Sequence, residues 1–306
     1  MCAMKQALRK DLEPVAASFT ARRLTEPHFD PNWHFHPHYQ LFLVEEGTGT
    51  RFIGDSIKPF GPGDFVFLGP NLPHLWRSDQ AYFDKAAGLT TRGIVVYFAE
   101  DFLGADFFAR QEMGPLRQLL SLARRGLAWT GPTRDAAAAL LQTLAGQPAS
   151  FERLLTLLGL LNRMAQATDG DVLTSPGYTN TLLRSETDGP ATSEHRSRAY
   201  RRMQLVHDYV LNHFSDELNL DTIADLAGLT APAFCRYFKA RANKMFSTFV
   251  AEVRVGHACK LLTNGSLSIT QVSYESGFRT LSNFNRQFKD ITGQTPSQYV
   301  RTYRAL

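Results

Sequence analysis

Two short segments near the C-terminus carry arginine and asparagine side chains at matching positions. The run Phe234-Cys-Arg236-Tyr-Phe238-Lys239 repeats as Phe284-Asn-Arg286-Gln-Phe288-Lys289, at an offset of 50 residues. Arginine and asparagine read guanine and adenine edges through paired hydrogen bonds. On a helix, two phenylalanines four residues apart share one face, so the arginines point elsewhere. The pattern predicts two base-reading helices; the alternative is solvated surface charge on an ordinary helical domain.

The residues before the first of these segments predict a helix, a tight turn and a second helix. Asp221 is a candidate N-cap for a helix through Ile223, and Gly228 can end that helix in a left-handed conformation. Thr230 is then a candidate cap for the next helix, with Pro232 in its first turn, where a missing N–H costs little.

The second copy has the same local pattern. Ser268 and Gln271 are spaced as a capping box, and Gly277 supplies the turn after the first helix. Ser282 is a candidate cap for the second helix, which Gly293 ends. A duplicated helix-turn-helix of this kind would present two helices about one DNA turn apart, to successive major grooves.

These motifs resemble the AraC/XylS transcription regulators. The resemblance covers about 199–304 and rests on Phe234-x-Arg236-x-Phe238-Lys239, Gly277-Phe278, Ser282-x-Phe284-x-Arg286-x-Phe288-Lys289 and Gly293-Gln-Thr-Pro-Ser-Gln-Tyr. It implies that the following residues contact DNA: Pro232, Ala233, Cys235, Arg236, Lys239, Leu281, Ser282, Asn283, Asn285, Arg286 and Lys289. The first helix departs from the expected polar recognition surface. Among its base-reading positions, Arg236 is the one side chain that forms strong hydrogen bonds with bases.

Five of the nine histidines lie between His28 and His74. The pattern His34-x-His36-x-x-x-Gln40, followed by Pro73-His74, resembles the cupin barrel motif, in which histidines and a glutamate bind a metal in many enzymes. Here Gln40 replaces the glutamate, and a neutral amide weakens such a site. The AraC/XylS resemblance implies that this barrel is a small-molecule receptor, with an effector pocket lined by His34, His36, Gln40, His74 and Trp76. Such a polar and aromatic lining suits a sugar. Structural histidines and a genuine metal site are the alternatives; the role of His38 is open, and His28 is expected in a loop.

The elements around these histidines predict a small barrel. Short apolar, aromatic runs at 39–44, 50–53 and 65–68 alternate with glycine-containing turns, and a further strand is expected at 93–99. Helical spacing follows at 116–127, 136–144 and 151–164. The last helix is leucine-rich on much of its circumference, which predicts either a homodimer surface or burial within the monomer.

Composition narrows the class of protein. The net charge of +4 is uneven: residues 1–198 sum to −1 and residues 199–306 to +5, which favours a polyanionic partner for the C-terminal part. Three scattered cysteines show neither a disulfide framework nor zinc-ligand spacing. With no apolar run long enough to span a membrane and a mixed, charged N-terminus, we expect a cytoplasmic protein with no membrane partner.

The fold class we predict is α+β, with an N-terminal cupin-like β-barrel and trailing helices before an all-α domain with two helix-turn-helix units. The expected domains are 1–167 for effector binding and dimerisation, 168–198 as linker, and 199–306 for DNA binding. The expected function is a ligand-responsive, sequence-specific transcription regulator. Its expected partners are double-stranded DNA, a sugar-like effector and, for an activator, RNA polymerase.

We expect no cofactor, no metal and no catalytic residue. A cupin enzyme such as a metal-dependent oxygenase or isomerase is the competing function, and Gln40 in place of glutamate counts against it. An effector-blind architectural DNA binder is a third alternative. The modest net charge counts against that reading, because such proteins depend on many phosphate contacts.

Overall fold

The computed structural model describes residues 17–178 and 193–304. The chain divides into two compact units, which meet in sequence after Tyr178. The first unit is built on β-strands with helices after them, and the second is helical. The predicted fold class, α+β with a barrel before a helical domain, is confirmed.

The described part of the first unit contains nine strands in two sheets. They are β1 (Phe19–Glu26), β2 (Tyr39–Glu46), β3 (Gly49–Ile53), β4 (Ser56–Phe60), β5 (Phe65–Leu68), β6 (His74–Ser78), β7 (Thr91–Phe98), β8 (Leu127–Trp129) and β9 (Gly170–Val172). One sheet has the order β1-β7-β2-β5-β8-β9 and the other β4-β3-β6. The pairs β1–β7, β2–β7, β2–β5, β3–β6, β5–β8 and β8–β9 are antiparallel.

Alternation along the strands separates two apolar clusters. Phe42, Val44 and Val66 pack with Ile53 and Trp76 from the second sheet, so this cluster lies between the sheets. Leu41, Leu43 and Phe67, the neighbours in sequence, face the other way and pack against helices. Those helices are α1 (Ala105–Phe108), α2 (Gly114–Ala123), α3 (Pro132–Gly146) and α4 (Phe151–Gln166).

The helix expected at 116–127 is shorter at its C-terminal end than the sequence suggested. It ends at Ala123, and Leu127 begins strand β8 instead. Gly126 lies between them with φ +69°, a left-handed conformation that breaks the helical spacing. Leu127, which continues the helical spacing in the sequence, therefore lies in strand β8.

The stretch expected to be a linker, 168–198, begins as part of the first unit. Residues 170–172 pair with β8, and Leu173 N–H donates to Gly126 O at 2.8 Å. The hydroxyl of Ser175 donates to the Asp55 carboxylate at 2.5 Å, and Tyr178 packs against the cluster between the sheets. Residues 179–192, the middle of the expected linker, lie outside the described residues.

Seven helices form the described part of the second unit. They are α5 (Ser193–His213), α6 (Leu220–Leu226), α7 (Ala231–Ala242), α8 (Phe246–Asn264), α9 (Ile269–Glu275), α10 (Leu281–Thr292) and α11 (Pro296–Arg304). Helices α7 and α10 start 50 residues apart, as the repeat in the sequence predicts. The α6–α7 and α9–α10 pairs are the two helix-turn-helix units.

Helix α8 is shared between the two helix-turn-helix units. Near its start, Phe246 and Phe249 contact Phe238 of α7, with ring centroids 5.3 and 5.2 Å away. Further along, Val255 and Leu262 belong to the cluster around Phe284 and Phe288 of α10. Each pair of phenylalanines in the repeat is fully buried, as expected from its spacing.

Two of the expected caps are wrong, the capping box is confirmed, and Thr230 takes the N-cap position of α7 without a side-chain hydrogen bond. Asn219, not Asp221, caps α6, since its side chain accepts from the backbone N–H groups of residues 221 and 222. Thr280, not Ser282, caps α10 and accepts from Asn283 N–H. The capping box of α9, the cap position of Thr230 and the left-handed glycines at 228, 277 and 293 are as predicted.

Candidate nucleic-acid interface and barrel site

Helix α7 presents the first group of predicted DNA-contacting side chains. Pro232, Arg236 and Lys239 are exposed, on the side away from the buried Phe234 and Phe238. The remaining two predicted contacts, Ala233 and Cys235, are half-buried. The exposed surface of α7 is therefore basic, with a proline and small or apolar side chains beside its two cations.

Helix α10 presents the second group with more polar chemistry. Ser282, Asn285, Arg286 and Lys289 are exposed. The Arg286 guanidinium donates to Asn283 Oδ1 at 3.0 Å, so the half-buried Asn283 holds the arginine over the helix surface. Such a bond leaves other guanidinium N–H groups for a base edge.

Leu281 is the predicted contact that the structure places least favourably. Its side chain packs against the apolar cluster of the second helix-turn-helix unit. The first residue of a recognition helix can face inward because the apolar face includes positions three and seven residues further on, here Phe284 and Phe288. The remaining predicted residues of α10 lie on its outer side.

The five predicted effector-binding side chains come together in the first unit. His34, His36, Gln40, His74 and Trp76 are all buried. His34 and His74 face each other across backbone hydrogen bonds of 3.1 and 2.9 Å, with ring centroids 4.4 Å apart. The His36 ring lies 5.1 Å from that of His74. Trp76 lies next, its ring centroid 5.6 Å from that of His74.

Each of the three clustered histidines has its Nδ1 atom against a backbone carbonyl. The distances are 2.7 Å from His34 to Asn32 O, 3.0 Å from His36 to His38 O, and 2.7 Å from His74 to Leu72 O. A donor N–H at Nδ1 directs the other ring nitrogen, Nε2, away from the backbone. The backbone thus fixes the orientation of all three rings.

Gln40 completes the cluster through His36. Its amide lies 2.8 Å from His36 Nε2. Burial lowers the pKa of His36 to about 4, with the hydrogen bond to Gln40 opposing that change, so the ring is neutral near pH 7. With its single proton on Nδ1, His36 accepts at Nε2, and the Gln40 amide turned to present its NH₂ group can supply the donor.

A metal does not fit this cluster. The Nε2 atom of His36 that a metal would need is already hydrogen-bonded to Gln40. Gln40 stands in place of the cupin glutamate, the nearby Asp64 carboxylate is paired with Arg51, and the described residues contain no group of three or more His, Cys, Asp or Glu able to hold a metal ion. The arrangement suits a neutral hydrogen-bonding ligand better than a cation.

The sequence did not reveal two polar groups of the barrel interior. Tyr97 pairs with Gln40 across β7 and β2, and its ring lies 5.1 Å from that of His36; burial raises its pKa to about 12. Arg51 is buried opposite Trp76 and forms an ion pair with Asp64 at 2.9 Å. In the sequence, Tyr97 looks like any apolar core residue of a strand, and Asp64, the partner of Arg51, stands just after a turn. Only the alternation of inward and outward positions along each strand could have indicated that Tyr97 and Arg51 face the interior.

His28 and His38 lie outside the centre of this cluster. His28 is in a bend, as expected for a loop residue, and stacks on Phe83 with ring centroids 4.2 Å apart. His38 is half-buried, and its ring centroid lies 6.2 Å from that of His36. Its backbone carbonyl, rather than its ring, supports the histidine cluster.

Among the described residues, no helix is both long and apolar enough to cross a lipid bilayer.

Comparisons with known proteins place a known domain type in each unit. A helix-turn-helix domain family matches residues 223–302, and a cupin domain family matches residues 23–81. An HTH-type transcriptional regulator from the cgkA 5′ region of Pseudoalteromonas carrageenovora is 34% identical over 95 residues, which is 31% of this chain and 56% of the relative. YdeC of Bacillus subtilis is 31% identical over 100 residues, 33% of this chain and 34% of the relative.

Among solved structures, the DNA-binding domain of AdpA in complex with a target DNA is 26% identical. The match covers 33% of this chain and 90% of that chain, with a TM-score of 0.32. The chain therefore spans nearly all of that domain but only about half or less of the curated relatives it matches.

The chain therefore combines a region similar to cupin domains with a region similar to the helix-turn-helix domains of HTH-type transcriptional regulators. Both relatives are named as HTH-type transcriptional regulators, in agreement with the regulatory role expected from the sequence.

Proposed function

We propose that this chain binds double-stranded DNA sequence-specifically through α7 and α10 and regulates transcription. The observation that carries the proposal is the repeat of one helix, starting at 231 and again at 281, with buried phenylalanines on one side and an exposed arginine and lysine on the other. Two such helices on one scaffold can enter successive major grooves on one face of DNA. Arg236, Asn285 and Arg286 supply the strongest base-reading chemistry.

Substitution of Arg286 tests the sequence-specific part of this proposal. We expect Arg286→Ala to weaken binding to a duplex selected by the full chain by about 1–3 kcal/mol, and to weaken binding to random duplex much less. Titrations of both duplexes at one salt concentration measure the difference. Arg163→Ala is the matched control, because it removes one exposed positive charge from the other unit. Equal losses on both duplexes would remove Arg286 from the base-reading residues.

We also propose that the barrel binds a small polar effector, with a sugar as the ligand class. Its support is that the hydrogen-bonding side chains of three histidines and Gln40 meet beside the aromatic ring of Trp76 in one interior cluster. Charge supports a neutral ligand, because the buried Arg51 is already paired with Asp64. Ligand binding would then bias how the chain presents its DNA-binding helices.

A thermal-shift screen of the full chain against sugars, aromatic compounds and divalent metals, with and without EDTA, tests the effector. We expect one sugar class to raise the melting temperature regardless of EDTA, and His74→Ala to abolish that rise while DNA binding persists. His28→Ala, outside the cluster, is the control and should retain the rise. Stabilisation by metal alone, lost in EDTA, would contradict the proposal and revive the enzyme alternative.

The second partner we propose is another copy of the chain. Helix α4 buries one face within the monomer. Its other face exposes Phe151 and Leu155, which lie four residues apart and are 67% and 50% exposed. Burial within the monomer accounts for one face of the helix, and we propose that a homodimer contact covers the exposed face. RNA polymerase is the further partner if the regulator activates.

A further inference from the structure

A short segment between α5 and α6 ties the two helix-turn-helix units together. Arg254, on the shared helix α8, donates from Nε to Phe214 O at 2.7 Å and from Nη2 to Asp216 O at 2.9 Å. A guanidinium holds its N–H groups in a rigid planar fork. The two bonds therefore fix the direction of residues 214–217 relative to α8.

The turn of the second helix-turn-helix unit rests on the same segment. Gly277 has φ +81°, and a Cβ atom there would lie 2.5 Å from Phe214 O and 2.8 Å from Ser215 Cα. Two residues later, Arg279 forms an ion pair with Glu217. We call residues 214–217 with Arg254, Gly277 and Arg279 the inter-unit clamp.

The space beside the clamp is not packed. A groove of about 580 Å³ lies between the two helix-turn-helix units. It is bordered by Cys235 of α7, Val250 of α8 and Asn283 of α10. An unfilled groove supplies few dispersion contacts across it. The contacts of residues 214–217 with Arg254, Gly277 and Arg279 therefore oppose rotation of one helix-turn-helix unit against the other.

We infer that the inter-unit clamp sets the distance and rotation between α7 and α10, and so determines the spacing between the two half-sites that the chain accepts. This inference rests on the proposed DNA-binding function. Each base pair inserted between half-sites adds roughly 3.4 Å and 35° to their separation. A rigid pair of helices loses contacts in one half-site under that change, whereas a loose pair turns to follow it.

Binding to DNA of altered spacing tests the inference. The probe is a duplex enriched from a random 30-base-pair library by the unmodified full chain, then remade with one or two base pairs inserted between its half-sites. We expect one inserted base pair to weaken binding by the unmodified chain about tenfold. Gly277→Ala and Arg254→Gln should bind the original duplex more weakly and lose most of that spacing penalty. Arg254→Lys keeps the positive charge but lacks the planar guanidinium, so its spacing penalty should lie between those of the unmodified chain and Arg254→Gln.

The chain contains a matched control for Gly277. Gly228, in the turn of the first unit, has φ +63°, and a Cβ there would meet nothing nearer than 3.9 Å. Gly228→Ala thus imposes a similar left-handed strain without pushing on another segment. It should retain the full spacing penalty.

A distance measurement without DNA keeps the two proposals separate. Spin labels at Lys239→Cys and Lys289→Cys, with the three native cysteines replaced, report the separation of α7 and α10 by double electron–electron resonance. Arg254→Gln and Gly277→Ala should broaden the distance distribution. An unchanged distribution together with an unchanged spacing penalty would overturn the clamp. Failure of the unmodified chain to enrich any duplex would overturn the proposed function and the spacing role with it.

Discussion

At the scale of single residues, burial decides the chemistry more than residue type does. Gln40 and His36 were visible as a pattern in the sequence, but their hydrogen bond and the neutral state of His36 follow from burial. Tyr97 and Arg51 contribute to the same interior without any motif, because nothing local distinguishes an inward strand position that carries a polar group. The five predicted barrel residues do meet, whereas their ligand stays a proposal.

His207 is a buried histidine on the same helix face as the buried Met203, Val206 and Val210. Its ring stacks on Phe249 with centroids 4.9 Å apart, and burial lowers its pKa to about 4. In the unfolded chain the ring titrates near 6.5 and therefore binds more protons between these values. The free energy of unfolding should fall as pH drops from 7 to 4, by roughly 3 kcal/mol in full.

Urea unfolding of the second unit at pH 7 and pH 5 measures this dependence. We expect His207→Phe, which preserves a stacking ring, to remove most of it. His213→Phe, at a ring about half exposed, is the control and should leave it in place. A pH dependence that survives in His207→Phe would assign the effect to other groups.

At the scale of elements, periodicity predicted the strands and helices that bury a continuous face. The central strands β2, β5 and β7 and both recognition helices were recognisable because their apolar residues repeat at the spacing of the element. Strand β1 was not predicted, since it lies at the edge of its sheet and fully buries only its first residue, Phe19. Strands β8 and β9, of three residues each, are too short to show any period.

Caps were predicted well in type and less well in position. Near α6 and α10 several residues with capping side chains stand close together, and the one that caps is the one whose oxygen reaches the N2 or N3 amide. At α9 only Ser268 pairs with a glutamine three residues later, so the position was unambiguous.

The capping box of α9 gives a measurable prediction. Ser268→Ala should lower the free energy of unfolding of the second unit by about 1 kcal/mol, because the backbone amide of Gln271 loses its acceptor. Ser266→Ala, the same change two residues earlier at an exposed position outside the helix, should alter it by less than about 0.5 kcal/mol. Denaturant titration of both variants makes the comparison, and equal losses would refute the capping role.

At the scale of the whole molecule, the uneven charge and the duplicated motif predicted that the chain divides into two parts with different roles. The basic C-terminal part proved to hold the helix-turn-helix match, and the near-neutral part the cupin match. Assembly is the property the sequence could not decide. A leucine-rich helix has the same composition whether its faces are buried by one chain or by two.

The exposed face of α4 gives the prediction at this scale. We expect the unmodified chain to sediment as a dimer, and Leu155→Glu to shift it toward monomer by placing a charge in the contact. Glu152→Gln, on the same helix, is the control and should not dissociate it. A chain that is monomeric before substitution, at micromolar concentration, would contradict the proposed dimer.

Strand β9 has a consequence for where the chain can be divided. It closes the exposed edge of β8, and the residues after it bind Gly126 and Asp55 before the chain leaves the first unit. A fragment that stops at 167 would leave the β8 backbone open to pairing with foreign strands, as edge strands do. The shortest autonomous piece therefore ends after Tyr178, and an expression boundary or protease cut that frees the barrel intact must fall beyond it.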